Sequence, residues 1–193
     1  MRVVIGAGGH AKVLVTALLC LHHKPDFLTD TDPALQMSNI HGILINKPEN
    51  IPLDAKLING IGHLKTRINI YKDFSAQGYK FTGVIHPSAV VTGQVEFGDG
   101  VQIMAGAVVQ SHTYLGNNVL INTRASVDHD CYIDDHTHIA PGVIVCGGVK
   151  IGKECFIGAG TTIIQNISIA DNSFIPAGSI ITEDICPSKK VIN

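Results

Sequence analysis

Residues 109–133 read VQSHTYLGNNVLINTRASVDHDCYI, and in this stretch an aliphatic residue returns at every sixth position. The same spacing of apolar residues continues without a break from Ile85 to Ile181, which gives seventeen hexads. An α-helix repeats about every 3.6 residues and a strand every two, so neither produces a period of six. The period is typical of a parallel β-helix, in which each hexad forms one side of a triangular coil and its apolar residue points inward.

The spacing of the hexads also predicts how the coils stack. Three hexads complete one coil, so residues eighteen apart lie on the same side, and seventeen hexads make between five and six coils. The fourth residue after each apolar position is small or β-branched, as at Ala107, Ala125 and Cys131, which suits a crowded interior. The turns carry Gly, Asn and Asp, which tolerate a left-handed backbone. An isolated prism exposes flat faces, and we expect these to be covered by assembly into a homotrimer about the prism axis.

The first 83 residues follow a different pattern. Three apolar segments, RVVIGAGG, FLTD and AKLINGIG, end in Gly or Asp and are predicted strands. Helical spacing is found in Ala11–Leu21 and in Lys65–Gln77. Strands that alternate with helices favour a small parallel sheet, here about half of a full dinucleotide fold. The sequence therefore predicts a small α/β Rossmann-like domain over residues 1–83 and a parallel β-helix domain over residues 84–193.

Composition excludes some classes of function. The net charge is −2 and no basic run is present, so we expect no nucleic-acid partner. The apolar run Val13–Leu21 is too short to span a bilayer, and the segment MRVVIGAGGH lacks the layout of a signal peptide, so we expect no membrane association. The five cysteines are odd in number and form no CxxC pair, which favours reduced thiols. These features predict a cytoplasmic protein.

The most polar stretch of the repeats contains a candidate catalytic base. Because Val127 is predicted to point inward, Asp128, His129 and Asp130 should lie on or beside an outward face. An imidazole next to a carboxylate is the basic unit of general-base catalysis, since the acid fixes the tautomer and raises the basicity of the ring. A surface histidine between two aspartates is alternatively only solvated charge. Its position in the middle of the solenoid, where subunits of a trimer would meet, favours catalysis.

A second candidate site lies near the N-terminus. The segment Gly6–Ala11 fits G-x-G-x-x-A between an apolar strand and a helix, a pattern in which glycines let the helix N-terminus approach a phosphate. Asp30 ends the next predicted strand, where it could hold a ribose hydroxyl. His10 is either a ligand contact or only a helix-start residue. The pattern favours nucleotide binding, and the missing second half of the fold argues against a whole dinucleotide such as NAD.

A zinc site is the alternative from a different class of chemistry. His136 and His138 are two residues apart on a predicted strand and would therefore face the same side. Trimeric β-helices can hold zinc between subunits, which would fit a hydrolase or a carbonic anhydrase. No third ligand follows from the spacing, so we expect no metal.

The order of these motifs is similar to that of a known family. GAGGHAKV, FLTD, NGIG and hexapeptide repeats with NTRASVDHDC together resemble the PglD/NeuD-type bacterial sugar acetyltransferases over essentially the whole chain. The resemblance implies a left-handed β-helix and acetyl-CoA as cosubstrate. It also implies N-acetylation of the 4-amino group of a nucleotide-linked amino-sugar for a surface glycan. Two alternatives remain: O-acetylation of a sialic or legionaminic-type acid, and a non-enzymatic nucleotide-sugar binding scaffold.

The resemblance also implies roles for individual residues. His129 would be the general base, Asp130 would tune it, and no acyl-enzyme would form on Cys131 or Cys146. Apart from the resemblance, the eighteen-residue stacking puts the Gly147-Gly148 loop one coil above His129, and we hypothesise that a backbone N–H of this loop holds the oxyanion. The coenzyme would lie in a groove between adjacent β-helices, at His138, Gly147, Ala159 and Ala177. The nucleotide sugar would contact Gly8, Gly9, His10, Thr29, Asp30 and Gly62, with Asn122 lining the same cleft as His129.

Overall fold

The computed structural model describes residues 1–187, so the last six residues of the predicted β-helix domain lie outside the described residues. The chain divides into two compact units, Met1–Pro87 and Ser88–Asn193. Neither helix among the described residues is long and apolar enough to cross a membrane.

The first unit contains a mixed sheet with two helices. Its strands are β1 (Arg2–Ile5), β2 (Phe27–Thr29), β3 (Asn39–Ile40), β4 (Ile43–Asn46), β5 (Lys56–Asn59) and β6 (Lys80–Phe81). Its helices are α1 (Gly9–Cys20) and α2 (Leu64–Ala76), with a short 3₁₀ turn at Pro48–Asn50. The sheet order is β3-β4-β2-β1-β5-β6. All pairs are parallel except β3 with β4.

The order of the strands determines where this unit can bind a ligand. The central strand β1 lies between β2 and β5, so the loops that follow these three strands meet at one edge of the sheet. This is the edge at which open parallel sheets bind ligands. The three strands predicted from the sequence are confirmed as the centre of the sheet. The prediction of only about three strands was wrong: β4, four residues long, was missed, as were β3 and β6, which are two residues long and show no detectable periodicity.

Within residues 1–187, the repeats form a left-handed parallel β-helix of seventeen two-residue strands. They are β7 (Val84–Ile85), β8 (Val90–Val91), β9 (Glu96–Phe97), β10 (Gln102–Ile103), β11 (Val108–Val109), β12 (Tyr114–Leu115), β13 (Leu120–Ile121), β14 (Ser126–Val127), β15 (Tyr132–Ile133), β16 (His138–Ile139), β17 (Ile144–Val145), β18 (Lys150–Ile151), β19 (Phe156–Ile157), β20 (Thr162–Ile163), β21 (Ser168–Ile169), β22 (Phe174–Ile175) and β23 (Ile180–Ile181).

These strands form three parallel sheets, which are the three sides of the prism. The orders are β22-β19-β16-β13-β10-β7, β23-β20-β17-β14-β11-β8 and β21-β18-β15-β12-β9. Each pair joins residues eighteen apart, as Ile121 with Ile139, so the predicted stacking is confirmed. Every apolar hexad residue from Ile103 to Ile181 is at most 3% exposed. Ile85 and Phe97 are instead 40% and 43% exposed, because the first coil has no preceding coil to cover it.

The corners of the prism require a left-handed backbone. Positive φ recurs at every sixth residue from Gln94 to Gly178. Gly, Asn and Asp occupy most of these corners, as predicted, but Arg124 and Glu154 also adopt this conformation. In the segment Asp128-His129-Asp130, called the DHD segment below, the corner residue is Asp130, with φ 58°. This backbone, uncommon for a residue other than glycine, sets the direction of the Asp130 side chain.

Candidate active site

His129 lies on an exposed corner of the β-helix. Val127 at the end of β14 is fully buried, and the chain then turns outward before β15 begins at Tyr132. The side chains of His129 and Asp130 are 62% and 63% exposed, so both are open to a ligand. The prediction that the DHD segment faces outward is therefore confirmed.

The two acidic neighbours hold His129 from different directions. Its Nδ1 lies 2.7 Å from Oδ2 of Asp130, and its backbone N–H donates to Oδ1 of Asp128 at 2.8 Å. A carboxylate accepts, so Nδ1 carries the proton of this hydrogen bond and Nε2 is left to act as a base. The hydrogen bond to Asp130, followed by the charge of Asp128, raises the pKa of His129 above its ordinary value. This is the arrangement expected of a general base.

Gly147 makes room for the His129 ring. A Cβ on Gly147 would lie 2.6 Å from Cε1 and 2.7 Å from Nε2 of His129, closer than van der Waals contact allows. The next residue, Gly148, donates its N–H to the carbonyl oxygen of His129 at 2.9 Å. The Gly148 N–H is thus already used in a hydrogen bond between adjacent coils. Among residues 1–187 no acceptor binds the Gly147 N–H, so of the two predicted oxyanion donors only Gly147 is available.

The cysteine next to the site is unsuited to nucleophilic catalysis. Cys131 is buried, and its thiol donates to the carbonyl oxygen of Cys146 at 3.2 Å. Burial raises the pKa of the Cys131 thiol to about 11, so the reactive thiolate is scarce at neutral pH. This environment agrees with the packing role expected from its position in the hexad.

A second group of predicted residues lies on the adjacent corner of the same chain. The Nδ2 of Asn122 lies 3.1 Å from Nε2 of His138, and Oδ1 of Asn122 accepts the N–H of Thr123 at 2.8 Å. The second bond fixes the orientation of the amide, so Nε2 of His138 accepts. Ala159 and Ala177 lie on this corner, where Ala159 accepts the N–H of Gly178.

The predicted cleft is therefore divided between two corners in a single chain. Asn122, His138, Ala159 and Ala177 lie around the turns that lead from the β13-containing sheet to the β14-containing sheet. Gly147 and His129 lie at the next turn, between the sheets of β14 and β15. The expectation that Asn122 and His129 line one cleft is not met within one chain.

The geometric premise of the zinc alternative was wrong. His136 is not on a strand but at a left-handed corner, with φ 64°. Its Nδ1 lies 3.1 Å from Nδ2 of Asn118. His138 is the first residue of β16 and interacts with Asn122. The two rings therefore have different partners and do not form a pair of ligands on one strand face. Among the described residues, no group of three or more His, Cys, Asp or Glu side chains could hold a metal ion.

The predicted nucleotide-sugar residues of the first unit lie at the ligand-binding edge of its sheet. Gly8 is the N-cap of α1, and Gly9 and His10 form its first turn. A Cβ on Gly62 would lie 3.2 Å from Cβ of His10, so the loop after β5 passes close to the start of α1. The structure thus brings Gly8, Gly9, His10 and Gly62 together.

Thr29 is the last residue of the neighbouring strand β2 and Asp30 follows it, and the two differ in their environment. The carboxylate of Asp30 accepts the N–H of Ala7 at 2.8 Å and that of Asp32 at 2.9 Å, so it braces the loop after β1. Thr29 is 1% exposed, and its hydroxyl has no hydrogen-bond partner among the described residues. A buried hydroxyl without a partner is uncommon in proteins, and an ordered water or a ligand would satisfy it.

A small apolar pocket of about 170 Å³ opens beside these residues. Gly6, Thr29 and Asp30 contribute to one side, and Thr66, Ile70 and Phe74 of α2 form another. The three α2 residues are spaced four apart and therefore share one face of the helix. Sequence reasoning missed this wall, although the spacing alone could have revealed it. The pocket is smaller than the about 300–1,000 Å³ of a whole ligand site, so it fits one part of a nucleotide.

The repeats of this chain match a known protein family. The family described as "Bacterial transferase hexapeptide (six repeats)" matches residues 112–147 and 148–183. No curated protein sequence matches the chain.

Several solved structures are similar to nearly the whole chain. The acetyltransferase domain of PglB from Neisseria gonorrhoeae, in complex with acetyl coenzyme A, is 32% identical with a TM-score of 0.89, over 95% of this chain and 91% of that chain. PerB from Caulobacter crescentus, in complex with CoA and GDP-perosamine, is 31% identical with a TM-score of 0.87, over 95% and 89% of the two chains. WeeI from Acinetobacter baumannii, at 20% identity, has a TM-score of 0.87 over 100% and 96%, which shows the fold alone.

The fold, the hexapeptide repeats and these relatives agree with the resemblance that the sequence motifs gave. This chain belongs to the bacterial sugar acetyltransferases of the left-handed β-helix type.

Proposed function

We propose that this protein transfers the acetyl group of acetyl-CoA to the 4-amino group of a nucleotide-linked amino-sugar, with His129 as the general base. The observation that carries the proposal is the His129–Asp130 hydrogen bond of 2.7 Å on an exposed corner, with Gly147 stacked against the His129 ring in the adjacent coil. The Nε2 of His129 lies beside the space that a Gly147 Cβ would occupy, which supports a base acting close to the Gly147 backbone. A base beside an oxyanion donor is what acyl transfer to an amine requires.

The chemistry can proceed by direct transfer. The amine nitrogen attacks the thioester carbonyl carbon while Nε2 of His129 takes a proton from the amine. The negative charge that develops on the carbonyl oxygen would be stabilised by the Gly147 N–H. When the tetrahedral intermediate collapses, the carbon–sulfur bond breaks and the imidazolium returns its proton to the thiolate of CoA. The Asp130 carboxylate stabilises the imidazolium between these two steps.

The ligands of the relatives and the features of the first unit support the proposed donor and acceptor. PglB was solved with acetyl coenzyme A, and PerB with CoA and GDP-perosamine. In this chain, the uncapped start of α1 at Gly8 offers backbone N–H groups to a diphosphate. The pocket beside Thr29 fits the base or the ribose. Thr29 and Asp30 would make the polar contacts there.

A homotrimer would complete the site. His129 and Gly147 lie on one corner of a chain, and Asn122, His138, Ala159 and Ala177 lie on the adjacent corner. We propose that the first corner of one subunit faces the second corner of the next, with the coenzyme in the groove between them. Three such grooves form if three prisms pack about a common axis.

The proposal is tested by release of the CoA thiol from acetyl-CoA in the presence of UDP-, GDP- and CMP-linked 4-amino-sugars. Each acceptor is paired with its 4-hydroxy analogue and with a free sialic acid. The proposal expects thiol release with at least one 4-amino-sugar and none with its 4-hydroxy partner. Turnover only with the hydroxyl acceptors would identify an O-acetyltransferase instead. Binding of a nucleotide sugar without thiol release from any acceptor would favour a non-enzymatic scaffold.

A further inference from the structure

Arg67 is a buried guanidinium beneath the loop that follows β5. It lies in the first turns of α2 and is completely inaccessible to solvent. Its Nη1 donates to the carbonyl oxygens of Asn59 at 3.1 Å and Ile61 at 3.2 Å. The side chain of Asn59 makes two further hydrogen bonds. Its Nδ2 donates to the carbonyl oxygen of Arg67 at 2.9 Å, and its Oδ1 accepts the N–H of Ile61 at 3.2 Å. Arg67 and Asn59 thus hold the loop reciprocally.

Burying this cation is costly for the fold. Desolvation lowers the pKa of Arg67 to about 9, and the group is still charged at neutral pH. A charged side chain taken out of water loses hydration that hydrogen bonds to carbonyl groups replace only in part. Ile68, the other buried residue of α2, is aliphatic, which is usual for a buried position and makes a buried arginine the exception. Local features that lower the stability of a fold are often found at functional sites.

Loop 60–62, which Arg67 holds, is tightly packed against the predicted substrate-binding segments. A Cβ on Gly60 would lie 2.7 Å from the carbonyl oxygen of Ile5. The side chain of Ile61 fills the space beside Gly6, where a Cβ would lie 2.5 Å from its Cδ1, and it also lines the 170 Å³ pocket. Gly62 passes close to His10 at the start of α1. A shift of the loop would therefore change the pocket wall and the start of α1 together.

We propose that Arg67 is a positioning residue for nucleotide-sugar binding: its two hydrogen bonds to the carbonyl groups of Asn59 and Ile61 set loop 60–62 against the pocket and the start of α1. This rests on the proposed function, since it concerns the same substrate site. Arg67 acts through the loop and makes no contact with the substrate itself.

The test compares Arg67→Met, which removes the donors, with Arg67→Lys, which keeps the charge and one flexible donor group. The steady-state readouts are kcat, the KM for the nucleotide sugar and the KM for acetyl-CoA. Arg67→Met is expected to raise the KM for the nucleotide sugar at least tenfold and to leave kcat and the KM for acetyl-CoA within twofold. Arg67→Lys is expected to give an intermediate KM, and it carries the test if the methionine variant does not fold.

The matched control is Phe81→Leu. Phe81 stacks on Tyr71 of α2 at 4.6 Å, so its loss destabilises the same unit but leaves the loop contacts intact. If Phe81→Leu lowers the melting temperature as much as the Arg67 variants and raises the nucleotide-sugar KM equally, the positioning role is overturned. An unchanged KM in Arg67→Met, or in Arg67→Lys where only that variant folds, overturns it as well.

A binding measurement separates this inference from the proposed reaction. Calorimetric titration of the wild-type protein and the Arg67 variants with UDP, GDP and CMP needs no turnover. Weaker binding of the preferred nucleotide to the variants supports the positioning role even if no acceptor is acetylated, which would sink only the proposed reaction. Failure of the wild-type protein to bind any of the three nucleotides and any nucleotide sugar overturns both.

Discussion

The imidazole of His129 occupies the space in which a side chain at Gly147 would lie. The two residues are eighteen apart and stack in adjacent coils, and the absent Cβ would fall within 2.7 Å of both Cε1 and Nε2. The glycine at this position is required by the histidine above it, since no positive φ is found there. The Gly147 N–H has no acceptor among the described residues, and it is the proposed oxyanion donor. One residue thus sets the place of the base and supplies the proposed oxyanion donor.

Gly147→Ala is expected to displace the His129 ring and lower kcat by about 10- to 100-fold, because a misplaced base loses much of the about 10²–10⁴-fold that general-base catalysis contributes. The exposed ring can rotate away, so the melting temperature should change little. The measurement is kcat by thiol release, beside Gly93→Ala, where a Cβ meets nothing within 4 Å. Equal activity of the two variants would contradict the importance of this contact.

Asp130→Asn is expected to move the acid limb of the pH–rate profile. In the wild-type protein, the Asp130 hydrogen bond and the Asp128 charge raise the pKa of His129 above its ordinary value. Since only the neutral ring can take a proton, kcat/KM should fall as the pH falls through that raised pKa. The asparagine removes the charge, lowers the pKa of His129 and shifts the limb to lower pH.

Asparagine also tolerates the left-handed corner, as Asn118 and Asn166 show at equivalent positions. The loss of rate at high pH should therefore be smaller for Asp130→Asn than for removal of the imidazole. A profile whose acid limb stays in place would mean that Asp130 does not tune His129.

Thr29→Val is expected to stabilise the fold and weaken substrate binding. The hydroxyl of Thr29 is buried without a partner, so replacing it with a methyl group removes an unsatisfied group at a gain of about 1 kcal/mol, or about 2–4 °C in melting temperature. If the hydroxyl contacts the nucleotide sugar, the KM for that substrate should rise about fivefold or more.

The matched control is Thr161→Val in the β-helix, whose hydroxyl donates to the carbonyl oxygen of Pro176 at 3.1 Å. Thr161→Val should lower the melting temperature and leave the KM for the nucleotide sugar unchanged. A Thr29→Val protein with an unchanged KM for the nucleotide sugar would exclude a contact between the hydroxyl and the substrate.

Much of this architecture could be predicted from the sequence because the β-helix is a local, periodic structure. One inward residue in six fixed the stacking of Ile121 on Ile139 and the outward direction of His129. The stacking of residue 147 on residue 129 also followed from the period. In a solenoid each repeat contacts only its neighbours, so the sequence period alone predicts most of the residue pairs that stack.

One missed feature, the corner position of His136, could have been found from the period, whereas two others depend on contacts that no period records. His136 was placed on a strand, although the corner takes a left-handed backbone every sixth residue and His136 lies at one of those corners. The hydrogen bond of Gly148 to His129 could not be foreseen from spacing alone. Arg67 is charged, and a charged residue on a helix is expected to face solvent. Its burial arises from tertiary contacts with Asn59 and Ile61.

The most direct test of the central claim is kcat for His129→Ala, measured as acetyl-CoA-dependent thiol release with the preferred nucleotide-linked 4-amino-sugar. His23→Ala, which removes an exposed histidine from the first unit, is the control. We expect kcat to fall about 10²- to 10⁴-fold in His129→Ala and to stay within twofold of wild type in His23→Ala. Near-normal turnover by a folded His129→Ala protein would contradict the assignment of His129 as the base.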